Sequence, residues 1–251
     1  MSCVNVRGCR IGEGRPKVIL PIVERTEAAI LEKAAQFSTL SADCVEWRAD
    51  WFEDFQSPAA IARCIQKLRV ALRDKLLLVT LRTKAEGGEQ ALSHPEYLAF
   101  LRLILDTDCA DLLDIEFFTA GADLPALVEQ AHSAGVAVVC SSHDFAKTPP
   151  RAELISRMVQ MQQAGADLPK LAVMPRCRTD VLELLAATAE MADLHPETPV
   201  ITMSMGALGA VSRLAGETFG SAMTFANPGQ ASAPGQVSLN IVNEVLDALH
   251  L

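Results

Sequence analysis

This 251-residue sequence has no CxxC pair, no run of basic residues, and no apolar stretch near the roughly 18 residues of a membrane span. Each absence excludes a class. The seven cysteines, at positions 3, 9, 44, 64, 109, 140 and 177, are odd in number and scattered. They indicate neither a disulfide framework nor a zinc knuckle, and most read as small core residues. No HxH, HExxH or dense carboxylate cluster marks a metal site, so neither a metal nor a cofactor is expected. With 22 Lys and Arg against 31 Asp and Glu, a formal charge of -9, the chain lacks the basic stripe that phosphate neutralisation needs. Nucleic acid is therefore not an expected partner. The first fourteen residues carry Arg7, Arg10 and Glu13 rather than an apolar signal segment, so a cytoplasmic, non-membrane protein is expected.

Half of the residues are hydrophobic, enough for a large core. The length suits either one α/β barrel, which fills about 200–250 residues, or two small domains. Short apolar runs begin near Lys17, Cys44, Leu76, Leu112, Val136, Leu168, Val200 and Ala222. Between them, segments such as Glu27 to Phe37, Ala59 to Leu72, Tyr97 to Leu105, Glu153 to Gln163 and Val181 to Met191 have helical spacing and good helix formers. Ser57-Pro58 and Thr148-Pro149 read as helix starts with a hydroxyl cap, and Gly135 and Gly165 as helix ends. Eight β-then-α repeats without a linker predict a single (β/α)8 barrel domain over residues 1–251. Residues 1–14 are expected to form a hairpin closing its N-terminal end. Residues 239–251 should form the last outer helix.

Strand residues of such a barrel alternate between a helix-covered outer face and a filled interior, and catalytic groups stand at the C-terminal strand ends. That alternation sends Glu46 and Arg48, Thr80 and Arg82, Asp114 and Glu116, then Ser141 and His143 inward. In the sixth strand Leu171 and Val173 suit the outer face, which leaves Lys170 and Ala172 facing the axis. A charged lysine is costly to bury, most of all beside Arg48 and Arg82, and its neutral amine is a nucleophile suited to Schiff-base formation with a carbonyl substrate. The plainer reading has Lys170 opening a strand in solvent, His143 serving a loop, and Glu46 and Arg48 forming a structural ion pair. Arg213 suits a carboxylate clamp, while Gly206-Ala207-Leu208-Gly209 is either a phosphate-binding turn or a sterically relieved one. The small residues of Ala231-Ser232-Ala233-Pro234-Gly235-Gln236 suit a lid, and Glu86, in the glycine-rich and mobile-looking Glu86-Gly87-Gly88-Glu89, can reach inward to orient an imidazole.

Over nearly its whole length the sequence resembles type I 3-dehydroquinate dehydratases. The motifs are Glu46-Trp47-Arg48-Ala49-Asp50, Arg82 with Glu86-Gly87-Gly88-Glu89, Ser141-Ser142-His143-Asp144-Phe145, Lys170-Leu171-Ala172-Val173-Met174-Pro175, Ile201-Thr202-Met203-Ser204-Met205, Ser212-Arg213-Leu214-Ala215-Gly216 and Ser232-Ala233-Pro234-Gly235-Gln236. The resemblance implies a lyase of the shikimate and quinate pathways. Lys170 would form the imine with 3-dehydroquinate, His143 would shuttle protons with an ordinary pKa of about 6.5 close to working pH, and Glu86 would pair with the histidine and tune it. Arg213 and Gln236 would hold the carboxylate, with Glu46, Arg48, Arg82 and Ser232 around the ring and Met203, Met205 and Phe225 as apolar walls. Three inward arginines would make the mouth positive for an anionic substrate. A homodimer is expected. The sequence departs from the family pattern at Pro21, where a substrate-touching serine is usual, at Gly206-Ala207, where Ser-Lys is common, and in 226–230 before the lid. The residues alone also admit a Schiff-base aldolase acting on a sugar phosphate, or a silent carboxylate-binding barrel.

Overall fold

The eight apolar runs become eight parallel strands curled into a ring, as the computed structural model of the chain shows for residues 2–229 and 235–251. A short antiparallel hairpin comes first, β1 (Val4–Val6) with β2 (Cys9–Ile11). The ring follows as β3 (Lys17–Ile22), β4 (Cys44–Arg48), β5 (Leu76–Thr80), β6 (Leu112–Glu116), β7 (Ala137–Asp144), β8 (Leu168–Val173), β9 (Ile201–Ser204) and β10 (Met223–Asn227). The two-residue β11 (Val237–Ser238) pairs with the end of β10. Each ring strand runs parallel to its sequence neighbour, and β10 returns to pair with β3. The seam between β9 and β10 is closed differently: Val200 bridges Ser221, the Ala222 amide donates to the Val200 carbonyl at 2.8 Å, and the Ser221 hydroxyl accepts from the Thr202 amide at 3.0 Å.

The outer layer comprises α1 (Glu27–Phe37), α2 (Pro58–Leu72), α3 (His94–Leu105), α4 (Phe117–Ala120), α5 (Leu124–Ser133), α6 (Arg151–Gln163), α7 (Arg178–Leu194), α8 (Val211–Leu214), α9 (Gly216–Phe219) and α10 (Leu239–Ala248). Among the described residues none of these is long and apolar enough to cross a membrane. The Ser57 hydroxyl caps α2 as expected, accepting from the Ala60 amide at 3.3 Å. Thr148 does not cap α6. Pro150 follows Pro149 and holds it out of helical backbone, so the helix starts at Arg151 and the Thr148 hydroxyl donates to the Met174 carbonyl instead. The last helix stops at Ala248 and buries Leu239, Val242 and Leu246, a narrower stripe than the apolar pattern implied. Of the cysteines, Cys44, Cys64 and Cys140 are buried, Cys3, Cys9 and Cys109 are half-buried and Cys177 is exposed, so the core reading holds for three.

Two apolar layers form because strand side chains alternate. Val45, Trp47, Leu77, Val79, Leu113, Ile115, Leu171 and Val173 point outward into the helix-covered core. Ile19, Cys44, Leu76, Leu78, Leu112, Val139, Leu168 and Ile201 fill the bore, where Val6 and Ile11 of the hairpin join them. The hairpin thus plugs the N-terminal end, as the sequence suggested. One step further toward the C-terminal ends the inward positions change character: Glu46, Thr80, Asp114, Ser141 and Lys170 are all buried there.

Candidate active site

Above that apolar fill lies a cavity of about 220 Å3 at the C-terminal ends of the strands. Glu46, Arg48, Arg82, Glu86, His143, Lys170, Met203, Met205, Arg213, Phe225 and Gln236 all line it, which brings together every expected site residue that the structure describes. Ser232 and the rest of 230–234, which include all of the expected lid but Gly235 and Gln236, lie outside the described residues.

Lys170 is 3% exposed, so it does not open a strand in solvent. Its Nζ donates to Asp114 Oδ2 at 3.1 Å and sits 4.8 Å above the Phe225 ring. Asp114 is the floor's centre: it also accepts from Arg82 Nη2 at 2.9 Å and from the Ser141 hydroxyl at 2.6 Å. Burial raises its proton affinity, yet Arg82, Lys170 and the Ser141 hydrogen bond outweigh burial and hold it below the usual carboxylate range. Arg82 Nη1 donates to Glu116 Oε1 at 2.9 Å and to Ser141 Oγ at 3.0 Å. Burial disfavours this guanidinium's charge, but Asp114, Glu116 and Glu86 more than restore it. Of the two arginines expected beside Lys170, Arg82 shares Asp114 with it, so an inward acid of β6 stands between the two cations. Arg82 is neutralised by acids on β6.

His143 stands on β7, where Ser141 pairs with Lys170 and His143 with Ala172 across the β7–β8 ladder. Inward side chains recur every second residue, so the imidazole lies one layer above the lysine on the adjacent strand. Its Nδ1 meets Glu86 Oε2 at 2.8 Å, and its backbone amide donates to the same oxygen at 3.1 Å. Nε2 is the nitrogen left for the cavity. Burial, then Arg82, Lys170 and Arg48, push the imidazole well below its ordinary 6.5, further than the near-neutral titration expected from sequence. Burial also pushes Glu86 up to about 8, with Glu116 and Asp114 adding to the effect and Arg82 and the His143 amide opposing it. At neutral pH the imidazole is uncharged, and burial favours the protonated form of Glu86 as well.

The loop that carries Glu86 is closely packed where composition suggested mobility. A side chain at Gly88 would place its Cβ 1.9 Å from the Arg82 carbonyl oxygen, and one at Gly87, where φ is +84°, would lie 2.4 Å from the Phe145 ring. Phe145 in turn stacks near His143 with ring centroids 6.4 Å apart.

Glu46 accepts from the Thr80 hydroxyl at 2.8 Å. Arg48 forms its ion pair with Asp50, not with Glu46, because the short turn after β4 folds Asp50 back beneath the guanidinium. Arg213, from α8, lays Nη1 3.6 Å from the Met203 sulfur, and burial lowers its pKa to about 10. Pro21 is buried in β3 opposite Glu46 and lines a separate cavity, so it offers this one nothing. Gly206 has φ +70° and abuts Gly235, whose Cβ would fall 2.1 Å from the Gly206 carbonyl oxygen; the turn serves backbone packing. Among the described residues no three His, Cys, Asp or Glu are grouped to hold a metal ion. Sequence reasoning placed Asp114, Glu116 and Ser141 inward without assigning them a task; it named Asp50 and Phe145 only as members of motifs, and it passed over Trp51, which also lines the cavity. Alternation finds the first three; Asp50 and Trp51 follow the strand, where periodicity ends.

The sequence model described as Type I 3-dehydroquinase matches residues 18–251. The 3-dehydroquinate dehydratase of Bacillus subtilis is 47% identical over 250 residues, covering 100% of this chain and 98% of that protein, and the one from Bacillus licheniformis is 47% identical over 247 residues, covering 98% and 97%. The solved type I 3-dehydroquinate dehydratase of Clostridium difficile, determined with covalently modified comenic acid, superposes with a TM-score of 0.96 at 42% identity, covering 99% of this chain and 98% of that one. Agreement in sequence and in backbone along the full length gives one assignment: the chain belongs to the type I 3-dehydroquinase family.

Proposed function

We propose that this chain dehydrates 3-dehydroquinate to 3-dehydroshikimate in the shikimate pathway through a Schiff base on Lys170. The observation that carries the proposal is a lysine buried in the barrel's interior with a histidine one layer above it on the adjacent strand. The Lys170 amine attacks the C3 ketone, and loss of water gives an imine whose protonated form accepts electrons. His143 Nε2 removes a C2 proton as the C2–H electrons move into the enamine. The enamine then expels the C1 hydroxyl, which leaves as water with the proton His143 had taken. Hydrolysis of the imine returns the amine, so the net change is loss of one water.

The depressed pKa of His143 serves both proton steps. The imidazole is ready as a base at neutral pH, and once protonated it is a stronger acid than a solvent-exposed imidazolium. Glu86 holds Nδ1 and so fixes which nitrogen faces the substrate. Arg213 and Gln236 take the carboxylate, Glu46, Arg48, Arg82 and Ser232 surround the ring hydroxyls, and Met203, Met205 and Phe225 exclude water. We also read residues 1–251 as one cytoplasmic domain, with 1–14 as its extension, that works as a homodimer.

Incubation with 3-dehydroquinate and borohydride, followed by intact-mass analysis and peptide mapping, tests the reading. The expected result is one reduced adduct, on Lys170, and neither adduct nor turnover in Lys170→Ala. Turnover by Lys170→Ala, or consumption of substrate with Lys170 unmodified under reduction, overturns it.

A further inference from the structure

We propose that Asp50, which no role above requires, is the positioning residue that sets both arms of the site. Its carboxylate is fully buried just past the end of β4, in the short helical turn Ala49–Trp51. Four donors converge on its two oxygens. Oδ1 accepts from Arg48 Nε at 2.7 Å and from the Arg82 amide at 3.4 Å; Oδ2 accepts from Arg48 Nη2 at 2.8 Å and from the Glu89 amide at 3.1 Å. The Asp50 backbone carbonyl accepts from Gln90 Nε2 at 2.8 Å. One residue therefore grips a cavity-lining guanidinium on one side and both ends of the segment from Arg82 to Gln90 on the other. That segment carries Glu86, the partner of His143.

Geometry fixes what each grip does. The fork of Arg48 is planar, and its Nε and one Nη2 hydrogen are committed to Asp50, so Nη1 and the second Nη2 hydrogen are the donors it can present to a ligand. Charge pairing with Asp50 also lets this guanidinium stay charged where burial alone would oppose it. On the other side, the bonds to the Arg82 and Glu89 amides close the loop over Gly87 and Gly88, and that closure sets Glu86 against Nδ1 of His143. Only a carboxylate satisfies the arrangement, since both oxygens must accept twice. Asparagine at this position would turn an amide N–H toward two of the four donors.

This inference rests on the reading that Arg48 contacts 3-dehydroquinate. It makes the two arms separable in kinetics: loss of the Arg48 grip acts on KM, and loss of the loop grip acts on kcat. Steady-state kinetics of Asp50→Asn, Arg48→Met and the double variant test it. The expected result is a KM raised about tenfold or more in Asp50→Asn, in keeping with loss of a charge-assisted pair. In the double variant, KM stays within about a factor of two of Arg48→Met alone, because two residues that act through one interaction do not add. The kcat of Asp50→Asn falls by a similar factor whichever residue stands at 48. A KM effect that multiplies with that of Arg48→Met, or an unchanged KM or kcat in Asp50→Asn, overturns the assignment while leaving the dehydratase reading intact. An unchanged KM in Arg48→Met removes the substrate contact itself, and this proposal with it. If Asp50→Asn does not fold, Arg48→Lys carries the test, since it keeps the charge but cannot span both Asp50 oxygens. A KM close to that of Arg48→Met supports the inference, and a KM close to wild type overturns it.

Discussion

Replacing Glu86 with glutamine should make the protein more stable as pH rises. The carboxyl is buried, with 7% of its side chain exposed, and burial has pushed it up to about 8 from an ordinary 4.5. Between those values the folded state keeps a proton that the unfolded chain releases. The stability this gives is full below about 4.5 and is lost as pH climbs through about 8. The gap corresponds to about 5 kcal/mol at roughly 1.4 kcal/mol per pH unit, and relaxation of a real interior reduces this to about 2–3 kcal/mol. Glutamine mimics the protonated acid and has nothing to ionise. Glu86→Gln should therefore match wild type within about 0.5 kcal/mol at pH 5 and exceed it by about 2–3 kcal/mol at pH 9, which for a chain of this size is roughly 5–10 °C in thermal midpoint. Thermal unfolding of both proteins at pH 5, 7 and 9 measures the difference. A constant offset across that range would show that the carboxyl's burial carries no such penalty. The same variant should lose kcat because an amide cannot give up or take a proton beside Nδ1 of His143 as the acid can, and stability would rise as activity falls, as expected where a site stores strain.

Gly88→Ala should destabilise the protein by about 2–4 kcal/mol, because the new Cβ would meet the Arg82 carbonyl oxygen at 1.9 Å and backbone must move to relieve it. Since Arg82 bonds Asp114, Glu116 and Ser141, kcat should fall as well, and a melting curve and turnover equal to wild type would refute the packing argument. Arg213→Met should raise KM for 3-dehydroquinate at least about 30-fold, in line with loss of one partner from a desolvated charge pair. Steady-state kinetics with an unchanged KM would remove Arg213 from carboxylate binding.

Much of this architecture could be read from the residues. The runs beginning at Lys17, Cys44, Leu76, Leu112 and Leu168 start strands at those residues, because Val, Ile and Leu buried on both faces leave a pattern that neither helix nor loop shares. The same alternation placed Lys170, His143, Glu46 and Arg82 in the bore, since a two-residue period admits only two faces. Pairing was not legible. Nothing in sequence says that Arg48 turns to Asp50 rather than Glu46, as that choice depends on a short helical turn; nor does it say that Asp114, 56 residues from Lys170, meets its amine across β6, β7 and β8. The glycines of 87 and 88 misled for a related reason: without a fold, room for flexibility and room for close contact look alike.

The seam between β9 and β10 has a bearing on how ligands enter. Elsewhere the strands are joined by continuous ladders, but here a single bridge and the Ser221 hydroxyl stand in for one. Met203 lies on β9 and Phe225 on β10, so the greasy side of the pocket hangs from the least tightly laced edge. Amide deuteration should accordingly begin along 201–204 and 223–226. The cleft should open along that edge first, while the β7–β8 rungs hold Lys170 and His143 in register.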